Sequence, residues 1–351
     1  MAHGRAFLQR HWFLLALGVA LLMAVASPGL AGSGGALHLD AMRSGLIAGI
    51  FLLSGLTLPG RALARAAAGW RLHVLVQGFT LGLVPLAMWL ATPLWLLLLP
   101  VPLVLGLQVL ACLPTTIASN VATTRAAGGD EAGALVNAVL GNLLGILVTP
   151  WTVLWLTGLW GQVDPLAVAA ALGWQVALPV AVGQLLRLGL SAACDRQRAR
   201  LGLLSQLALL TLVWHLVSDA AQHAHGLTAS LLLVVLGVVL IWHLASTAAA
   251  YGLARWIKLP PPQRIAAAIC GGQKTLAMGA PLAAILLAQA PGAALVAVPI
   301  VAHHAIQLIV GAGLAGWWRT TVVTGDPATP RPRDPATFPT DSSPAPSSHK
   351  T

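Results

Sequence analysis

Charged residues are scarce in this sequence. Asp, Glu, Lys and Arg make up 8% of its 351 residues, whereas a typical soluble domain contains about 25%. Hydrophobic residues make up 58%, and the mean hydropathy is +0.84. There is too little polar surface here to cover a domain in water. The composition therefore excludes an ordinary soluble protein and predicts an integral protein of the lipid bilayer.

Acidic residues are rarer still. The nine carboxylates all fall in loops, at the ends of apolar segments or in the C-terminal tail. This argues against a proton relay of acidic side chains and against a site that binds cations by charge. Three cysteines do not suggest a disulfide framework. Nucleophile elbows, phosphate-binding glycine loops and metalloprotease motifs are also missing, so we do not expect an enzyme or a bound cofactor.

Apolar segments fill most of the chain, and most of them can cross a hydrocarbon core of about 30 Å. We predict ten, at residues 11–30, 44–59, 71–91, 94–126, 131–160, 166–190, 201–222, 227–256, 262–289 and 293–318. Residues 1–32 are also open to interpretation as a signal peptide, since Arg5 and Arg10 precede an apolar run. Removing them would leave nine spans and break the pairing of halves described below.

Basic residues alternate between the two sides of the predicted membrane. With the N-terminus inside, Arg43 is the basic residue on the outer side, Lys274 lies within a span, and the others face the cytoplasm. This distribution obeys the positive-inside rule. It predicts an integral membrane protein with both termini cytoplasmic. The net charge of +10 thus reflects topology, and we expect no nucleic-acid partner.

Two of the apolar segments are interrupted by polar and helix-weakening residues. The first break is Leu113-Pro114-Thr115-Thr116, followed by Ile117-Ala118-Ser119-Asn120, and the second is Cys270-Gly271-Gly272-Gln273-Lys274-Thr275. Unpaired backbone groups are costly in a bilayer, so broken helices are tolerated only where protein or a water-filled cavity satisfies them. Ordinary kinks are the alternative, but a matched pair of breaks indicates the binding site of a transporter built from repeats.

The breaks lie in the fourth and ninth segments, which occupy equivalent places in two sets of five. Because five is odd, the second set has inverted topology. We therefore predict an all-α integral membrane protein with ten transmembrane helices in two inverted five-helix repeats, residues 1–160 and 161–318. The discontinuous fourth and ninth helices cross at mid-membrane. Residues 319–351, rich in Pro, Ser and Thr, are expected to form a disordered cytoplasmic tail.

Polar side chains inside the spans are candidates for function. Lys274 is the one basic residue placed mid-membrane, and an intramembrane ion indicates a functional site by default, with snorkelling to the interface as the alternative. Gln77, Asn137 and Asn142 are amides that can offer an oxygen to a cation, or can simply hydrogen-bond between helices. Histidines within spans lack the spacing of a zinc site and are interpreted as packing residues.

Several motifs together resemble the bile acid:sodium symporter superfamily, most closely its bacterial branch related to the seventh vertebrate member of solute carrier family 10. The similarity runs from about residue 12 to 318. The residues that carry it are Gly55-Leu56-Thr57-Leu58, Leu75-Val76-Gln77, Thr115-Thr116-Ile117-Ala118-Ser119-Asn120-Val121-Ala122, Gly128-Gly129-Asp130, Asn137, Asn142-Leu143-Leu144-Gly145 with Thr149-Pro150, and Cys270-Gly271-Gly272-Gln273-Lys274-Thr275-Leu276-Ala277.

This resemblance implies a panel domain, formed by the first, second, sixth and seventh spans, and a core domain formed by the other six. Sodium, the candidate coupling ion, and an organic anion are expected near the crossing. By matching position, Ser119 and Asn120 are similar to the ligands of one sodium, and Gln77 and Gln273 to those of the second. The full set of substrate and ion candidates is Thr115, Thr116, Ser119, Asn120, Gln77, Asn137, Asn142, Gln273, Lys274 and Thr275.

One departure from the family pattern concerns charge. Better-studied bile acid symporters carry a glutamate just before the second crossing motif, where this chain has Ile269 or Cys270 and adds Lys274. The ammonium of Lys274 can replace one bound cation and repel another. We also expect it to attract the substrate, which should be a smaller organic anion than a bile acid. The prediction is a secondary transporter, with a non-transporting membrane regulator or receptor on the same fold as the alternative. A homodimer is among the oligomeric states left open.

Overall fold

The computed structural model describes residues 2–57, 69–159, 164–223, 228–279, 282 and 293–321. Within these ranges the chain consists of helices and their connections, with no strand. The first half contains α1 (Ala2–Ala26), α2 (Pro28–Ala31), α3 (Leu39–Thr57), α4 (Trp70–Leu98), α5 (Val101–Cys112), α6 (Ala118–Ala126) and α7 (Glu131–Thr157). A π-helical turn, Phe79–Leu83, lies within α4.

The second half continues in the same manner. It contains α8 (Pro165–Arg196), α9 (Arg198–His223), α10 (Ala229–Trp256), α11 (Pro261–Gly272) and α12 (Ala293–Thr321). Residues 276–279 resume a helix after α11, and most of the predicted remainder of the ninth segment lies outside the described residues. Most of the predicted C-terminal tail, from residue 322 onward, also lies outside them.

Seven helices of the described ranges are long and apolar enough to cross a membrane, namely α3, α4, α7, α8, α9, α10 and α12. Shorter apolar stretches occupy Leu15–Ala26 and Val101–Cys112. The predicted all-helical membrane protein is therefore confirmed. The count of ten crossings and the repeat relation between halves stay predictions.

Helix starts are set by capping side chains. The carboxylate of Asp130 accepts a hydrogen bond from the Gly133 N–H at 2.8 Å and begins α7. Asp164 accepts from the Leu166 N–H at 2.9 Å at the start of α8, and the Thr228 hydroxyl accepts from Leu231 at the start of α10. Such caps satisfy amides that have no partner within the helix. They mark the starts of these three helices.

The helices pack in two groups. In one, which we call the panel group, α3 packs on α8 and α9, and α1 packs on α9. In the other, the core group, α10 packs on α11 and α12, α12 on α5, and α7 on α4, α5, α6 and α11. The groups meet mainly where α9 contacts α12 and where α8 contacts α7. The panel group consists of the predicted first, second, sixth and seventh segments.

Glycines allow two helices of the panel group to touch. A Cβ built on Gly55 of α3 would lie 2.5 Å from the backbone oxygen of Val180, and one on Gly183 of α8 would overlap the Leu52 backbone oxygen. Arg187 then reaches the end of α3, where its guanidinium donates to the Leu56 carbonyl at 2.6 Å. Small residues commonly permit such close helix approach in membranes. Gly55 and Gly183 thus fix the packing of the panel group.

We expect Gly55→Ala to lower the melting temperature of the purified protein, because the new methyl group meets backbone rather than a movable side chain. Overpacking of this kind typically costs about 1–3 kcal/mol. Gly49→Ala is the matched control on the same helix, since a Cβ there meets nothing within 4 Å. Equal melting temperatures for the two variants in detergent would contradict the close α3–α8 contact.

The predicted orientation can be tested with single cysteines in the native background, because Cys112, Cys194 and Cys270 are all buried. Ala229 at the start of α10 and Ala199 in the first turn of α9 are both exposed. We expect an impermeant maleimide to label Ala229→Cys on intact cells and Ala199→Cys only after permeabilisation. The reverse pattern would overturn the assignment of the cytoplasmic side.

Candidate functional site

The two breaks have the same local construction. Each follows a twelve-residue helix, α5 or α11, that begins directly after a proline, Pro100 or Pro260. Each helix ends at a residue in extended conformation: Leu113 has ψ 143°, and Gln273 has ψ 144°. Pro114 disfavours a helical Leu113 and cannot donate to the preceding turn. Both breaks therefore expose backbone groups at corresponding points.

The breaks contact one another. The backbone N–H of Thr275 donates to the carbonyl of Pro114, with a nitrogen–oxygen distance of 2.9 Å. α7 approaches the same point, since a Cβ on Gly145 would lie 3.0 Å from the Pro114 ring. Asn142 of α7 donates to the Thr115 carbonyl at 2.9 Å. Backbone groups freed by one break are thus satisfied by the other break and by the next helix.

The ammonium group of Lys274 lies at the C-terminal end of α5. Its Nζ donates to the carbonyls of Leu113 at 2.8 Å, Ala111 at 3.0 Å and Thr80 at 3.2 Å. Three N–H donors therefore meet three acceptors. The residue is 3% exposed, and no salt bridge involves it within the described chain. A cation at a helix C-terminus is favourable, and the Lys274 ammonium lies at this end of α5.

Ser119 and Asn120 join the first break to the second. The Ser119 hydroxyl donates to Oε1 of Gln273 at 2.8 Å. The Asn120 amide donates to the Thr115 hydroxyl at 2.6 Å and to Sγ of Cys270 at 3.4 Å. The structure thus pairs four predicted site residues across two sets of hydrogen bonds, Ser119 with Gln273 and Asn120 with Thr115.

Gln77 and Asn137 form a third pair of predicted site residues. The Gln77 amide donates to the backbone oxygen of Asn137 at 3.0 Å and to its Oδ1 at 3.1 Å. The Asn137 amide donates within α7, to the Gly133 carbonyl. The structure gives no direct contact between Gln77 and Gln273, which the resemblance assigned to one sodium.

Among the predicted site residues, three buried carboxamide oxygens have no hydrogen-bond partner: Oε1 of Gln77, Oδ1 of Asn120 and Oδ1 of Asn142. Outside this set, Oε1 of Gln108 and Oε1 of Gln222 share this property. Buried polar atoms normally find a partner, so each of these invites an explanation. Oxygen donors are the ligands that hard cations prefer. The three site residues therefore fit a sodium ion as a transported substrate, although the structure holds no group of three or more His, Cys, Asp or Glu within the described residues that suits a tightly held metal.

Two cavities flank α6 at the boundary between the panel and core groups. One, of about 440 Å³, is lined among others by Phe13, Thr116, Ser119, His304 and Arg319. The other, of about 570 Å³, is lined by residues of α3, α6 and α9 and by Arg125, Asp195, Arg196 and Arg198 near its mouth. The arginines that line the two cavities belong to the predicted cytoplasmic side.

Sequence reasoning did not name Gln307, and it did not place His243 or Thr149 at the breaks. Gln307 of α12 accepts a hydrogen bond from the Lys274 N–H and donates to the Lys274 carbonyl. His243 contacts the Gly272 carbonyl at 3.0 Å, and Thr149 donates to the Cys112 carbonyl. An amide in the middle of an apolar helix is the signal that could have found Gln307, as it found Gln77 in the third segment.

Comparison with known proteins agrees with this geometry. Residues 11–320 match the SBF-like CPA transporter family. The chain belongs to this family. It is 30% identical over 315 residues to the mouse sodium/bile acid cotransporter 7, covering 87% of this chain and 92% of the relative. The zebrafish protein of the same name is 30% identical over 314 residues, covering 88% and 94%. An uncharacterised protein of Pseudomonas aeruginosa is 31% identical over 271 residues, covering 76% and 80%.

Membership of the SBF-like transporter family confirms the resemblance drawn from the crossing motifs. It also supports a transport protein rather than an enzyme. The roles of individual residues at the breaks stay predictions.

The substitution Lys274→Met tests the role of the ammonium in this transporter. Methionine keeps the length but leaves three carbonyls without their donor, and each unmet buried group costs about 1–3 kcal/mol. We expect a lower melting temperature in potassium buffer. Sodium should then raise the melting temperature of the variant more than that of the wild type, because the ion can occupy the vacated place.

Lys258→Met is the control, since Lys258 is exposed at the end of α10. Should sodium shift the wild type and Lys274→Met equally, the ammonium does not stand in for a cation.

Proposed function

We propose that this protein is a secondary active transporter that carries a small organic anion into the cytoplasm together with sodium. The observation that carries the proposal is the contact between the two breaks, from the Thr275 N–H to the Pro114 carbonyl. Helix ends that meet inside a membrane protein present backbone dipoles to a bound ion or substrate. The names of the cotransporter relatives support the same class of activity.

The proposed architecture is ten crossings in two inverted repeats, residues 1–160 and 161–318. Support comes from the equal lengths of α5 and α11, their proline starts and their extended last residues. A further parallel lies in the next long helix of each half. Asn142 of α7 binds the Thr115 carbonyl at the first break, and Gln307 of α12 binds the Lys274 backbone at the second. Both amides restore hydrogen bonds that the broken helix loses.

The proposed transport cycle is alternating access of the core group against the panel group. Both cavities lie between these groups and share α6 as a wall. Few described contacts cross the boundary apart from α9–α12 and α7–α8. A rigid-body rotation there would close the cytoplasmic cavities and open the opposite side. Movement of one bundle against another around a fixed site is the usual mechanism for such repeats.

Sodium is proposed to bind through side-chain oxygens, with Ser119, Asn120, Gln77 and Gln273 as ligands. The unpaired oxygens of Gln77 and Asn120 support this assignment. The hydrogen bond from Ser119 to Gln273 would open on ion binding, since both oxygens lie at the junction of the breaks. Lys274 already supplies a positive charge beside α5, which favours a low sodium stoichiometry.

The proposed substrate is an organic anion that fits the 440 Å³ cavity. Thr116, Ser119 and His304 offer polar contacts, Phe13 and Leu308 offer apolar ones, and Arg319 adds positive charge at the mouth. A site of this kind, mostly apolar with a few polar groups, is typical for small molecules. The proposed location is the bacterial inner membrane, with the lipid bilayer as its surroundings and a homodimer as the oligomeric state to be tested.

Uptake into proteoliposomes tests the proposal. Purified protein is first screened by thermal shift against carboxylates and sulfonates in sodium or potassium, and the anions that stabilise it are then tested for uptake. We expect an inward sodium gradient to drive accumulation of at least one of them. A protein that binds anions but transports none under any gradient would instead be a regulator or receptor on the transporter fold.

Asn120→Ala and Gln273→Ala should abolish this uptake while expression stays near that of the wild type, because each removes an oxygen proposed to bind sodium. The control is Gln108→Ala. Gln108 is a buried amide in α5 whose nitrogen donates to the Thr92 hydroxyl, and neither residue belongs to the breaks. If all three variants lose stability and activity to the same degree, the two residues serve folding rather than ion binding.

A further inference from the structure

Gln307 makes a pair of hydrogen bonds with the backbone of one residue in the second break. Its Oε1 accepts from the Lys274 N–H at 2.7 Å, and its Nε2 donates to the Lys274 carbonyl at 3.1 Å. A reversed carboxamide would place a donor against the N–H and an acceptor against the carbonyl. The orientation of the Gln307 side chain is therefore determined by the backbone it binds.

This orientation determines the state of a neighbouring histidine. The Nε2 of Gln307 also lies 2.9 Å from Nδ1 of His304. Since the Gln307 amide nitrogen can only donate hydrogen bonds, Nδ1 of His304 must be the acceptor and cannot carry a proton. The proton of the neutral imidazole is then on Nε2. Gln307 thus holds His304 in the Nε2–H tautomer, as second partners do for functional histidines in general.

The Nε2–H of His304 is the free end of this chain of contacts. The residue is 4% exposed and lines the 440 Å³ cavity, and its Nε2 is buried beside the cavity wall without a hydrogen-bond partner. A buried N–H without a partner is costly, and an oxygen of an anionic ligand would satisfy it with a charge-assisted hydrogen bond. The cavity is therefore linked to the Lys274 backbone through two side chains of α12.

We propose that Gln307 is a positioning residue that couples a carboxylate or sulfonate in the 440 Å³ cavity to the second break, with His304 as the group that contacts the anion. The proposal rests on the proposed function, since it assigns the anion to the same cavity. A ligand that accepts a hydrogen bond from Nε2–H of His304 displaces the imidazole. Because Gln307 binds both the imidazole and the Lys274 backbone, this displacement also changes the hydrogen bonds of the Lys274 N–H and carbonyl. The position of the Lys274 ammonium on α5 is then sensitive to anion occupancy.

The tautomer is tested without any ligand, by nitrogen NMR of protein labelled with ¹⁵N-histidine in nanodiscs, with His304→Gln used to assign the signal. We expect the Nε2–H tautomer alone in the wild type and a loss of that preference in Gln307→Leu. Gln108→Leu, which removes another buried amide of the described chain, should leave the His304 signal unchanged. A protonated Nδ1 in the wild type, or the same tautomer in Gln307→Leu, would overturn the proposal.

Two substitutions of His304 separate contact with the anion from contact with Gln307. In His304→Asn the side-chain oxygen lies near the position of Nδ1 and keeps the acceptor for Gln307, but the donor to the cavity is lost. In His304→Gln the amide nitrogen lies near the position of Nε2 and keeps that donor. The probes are benzoate, hexanoate and cholate, each compared with its uncharged amide by isothermal calorimetry.

We expect His304→Asn to weaken binding of the carboxylates roughly tenfold, the loss typical for a hydrogen bond to a charged group, and to leave binding of the amides nearly unchanged. His304→Gln should retain most of the affinity. Equal losses in both variants would mean that His304 serves only packing. If none of the probes binds the wild type, the anion assignment of the proposed function fails, whereas the NMR result still decides whether Gln307 sets the tautomer.

Discussion

Backbone groups freed inside the membrane are the constraint on which this structure depends. Two helices, α5 and α11, end within their predicted membrane spans, at Cys112 and Gly272. In the hydrocarbon core, water cannot satisfy the backbone carbonyls and amides that lose their helical partners there. Several of these groups find a partner within the protein. The Thr275 N–H binds the Pro114 carbonyl, Asn142 and Gln307 bind the backbone on either side, and Lys274 supplies three further donors. The contact between the breaks, and the site beside it, follow from this requirement.

The same constraint explains why one charge can be buried here. An isolated ammonium in a bilayer is expensive, and it persists only where carbonyls or a counter-ion surround it. Lys274 meets three carbonyls near the C-terminal end of α5 and in α4, so it needs no acidic partner. The breaks of this chain therefore carry a fixed basic side chain. Among the predicted site residues, Asn120, Asn142 and Gln77 keep an unpaired side-chain oxygen.

Much of the architecture could be predicted from the sequence, because hydropathy and Pro or Gly are local signals. The scarcity of charge predicted the membrane, and Pro114 and Gly271-Gly272 marked the breaks within a few residues. The identities of the partners could not be predicted in this way. Nothing in the neighbourhood of Gln307 or Thr80 along the chain indicates that Lys274 is their partner, since 33 and 194 positions separate them. Likewise, the direction of the Lys274 ammonium, toward α5 rather than toward a cavity, depends on packing.

The central claim is that the core group moves against the panel group during transport. Pulsed electron–electron double resonance, which measures distances between spin labels, tests this motion most directly. Spin labels at Ala199 of α9 and Ala126 of α6 would lie on opposite sides of the cytoplasmic opening, and both residues are exposed. The account predicts a long distance that dominates without sodium, and a second, shorter population that grows when sodium and a transported anion are added to protein in nanodiscs. A single distance, unchanged by ion, anion or the Gln273→Ala substitution, would contradict alternating access in this protein.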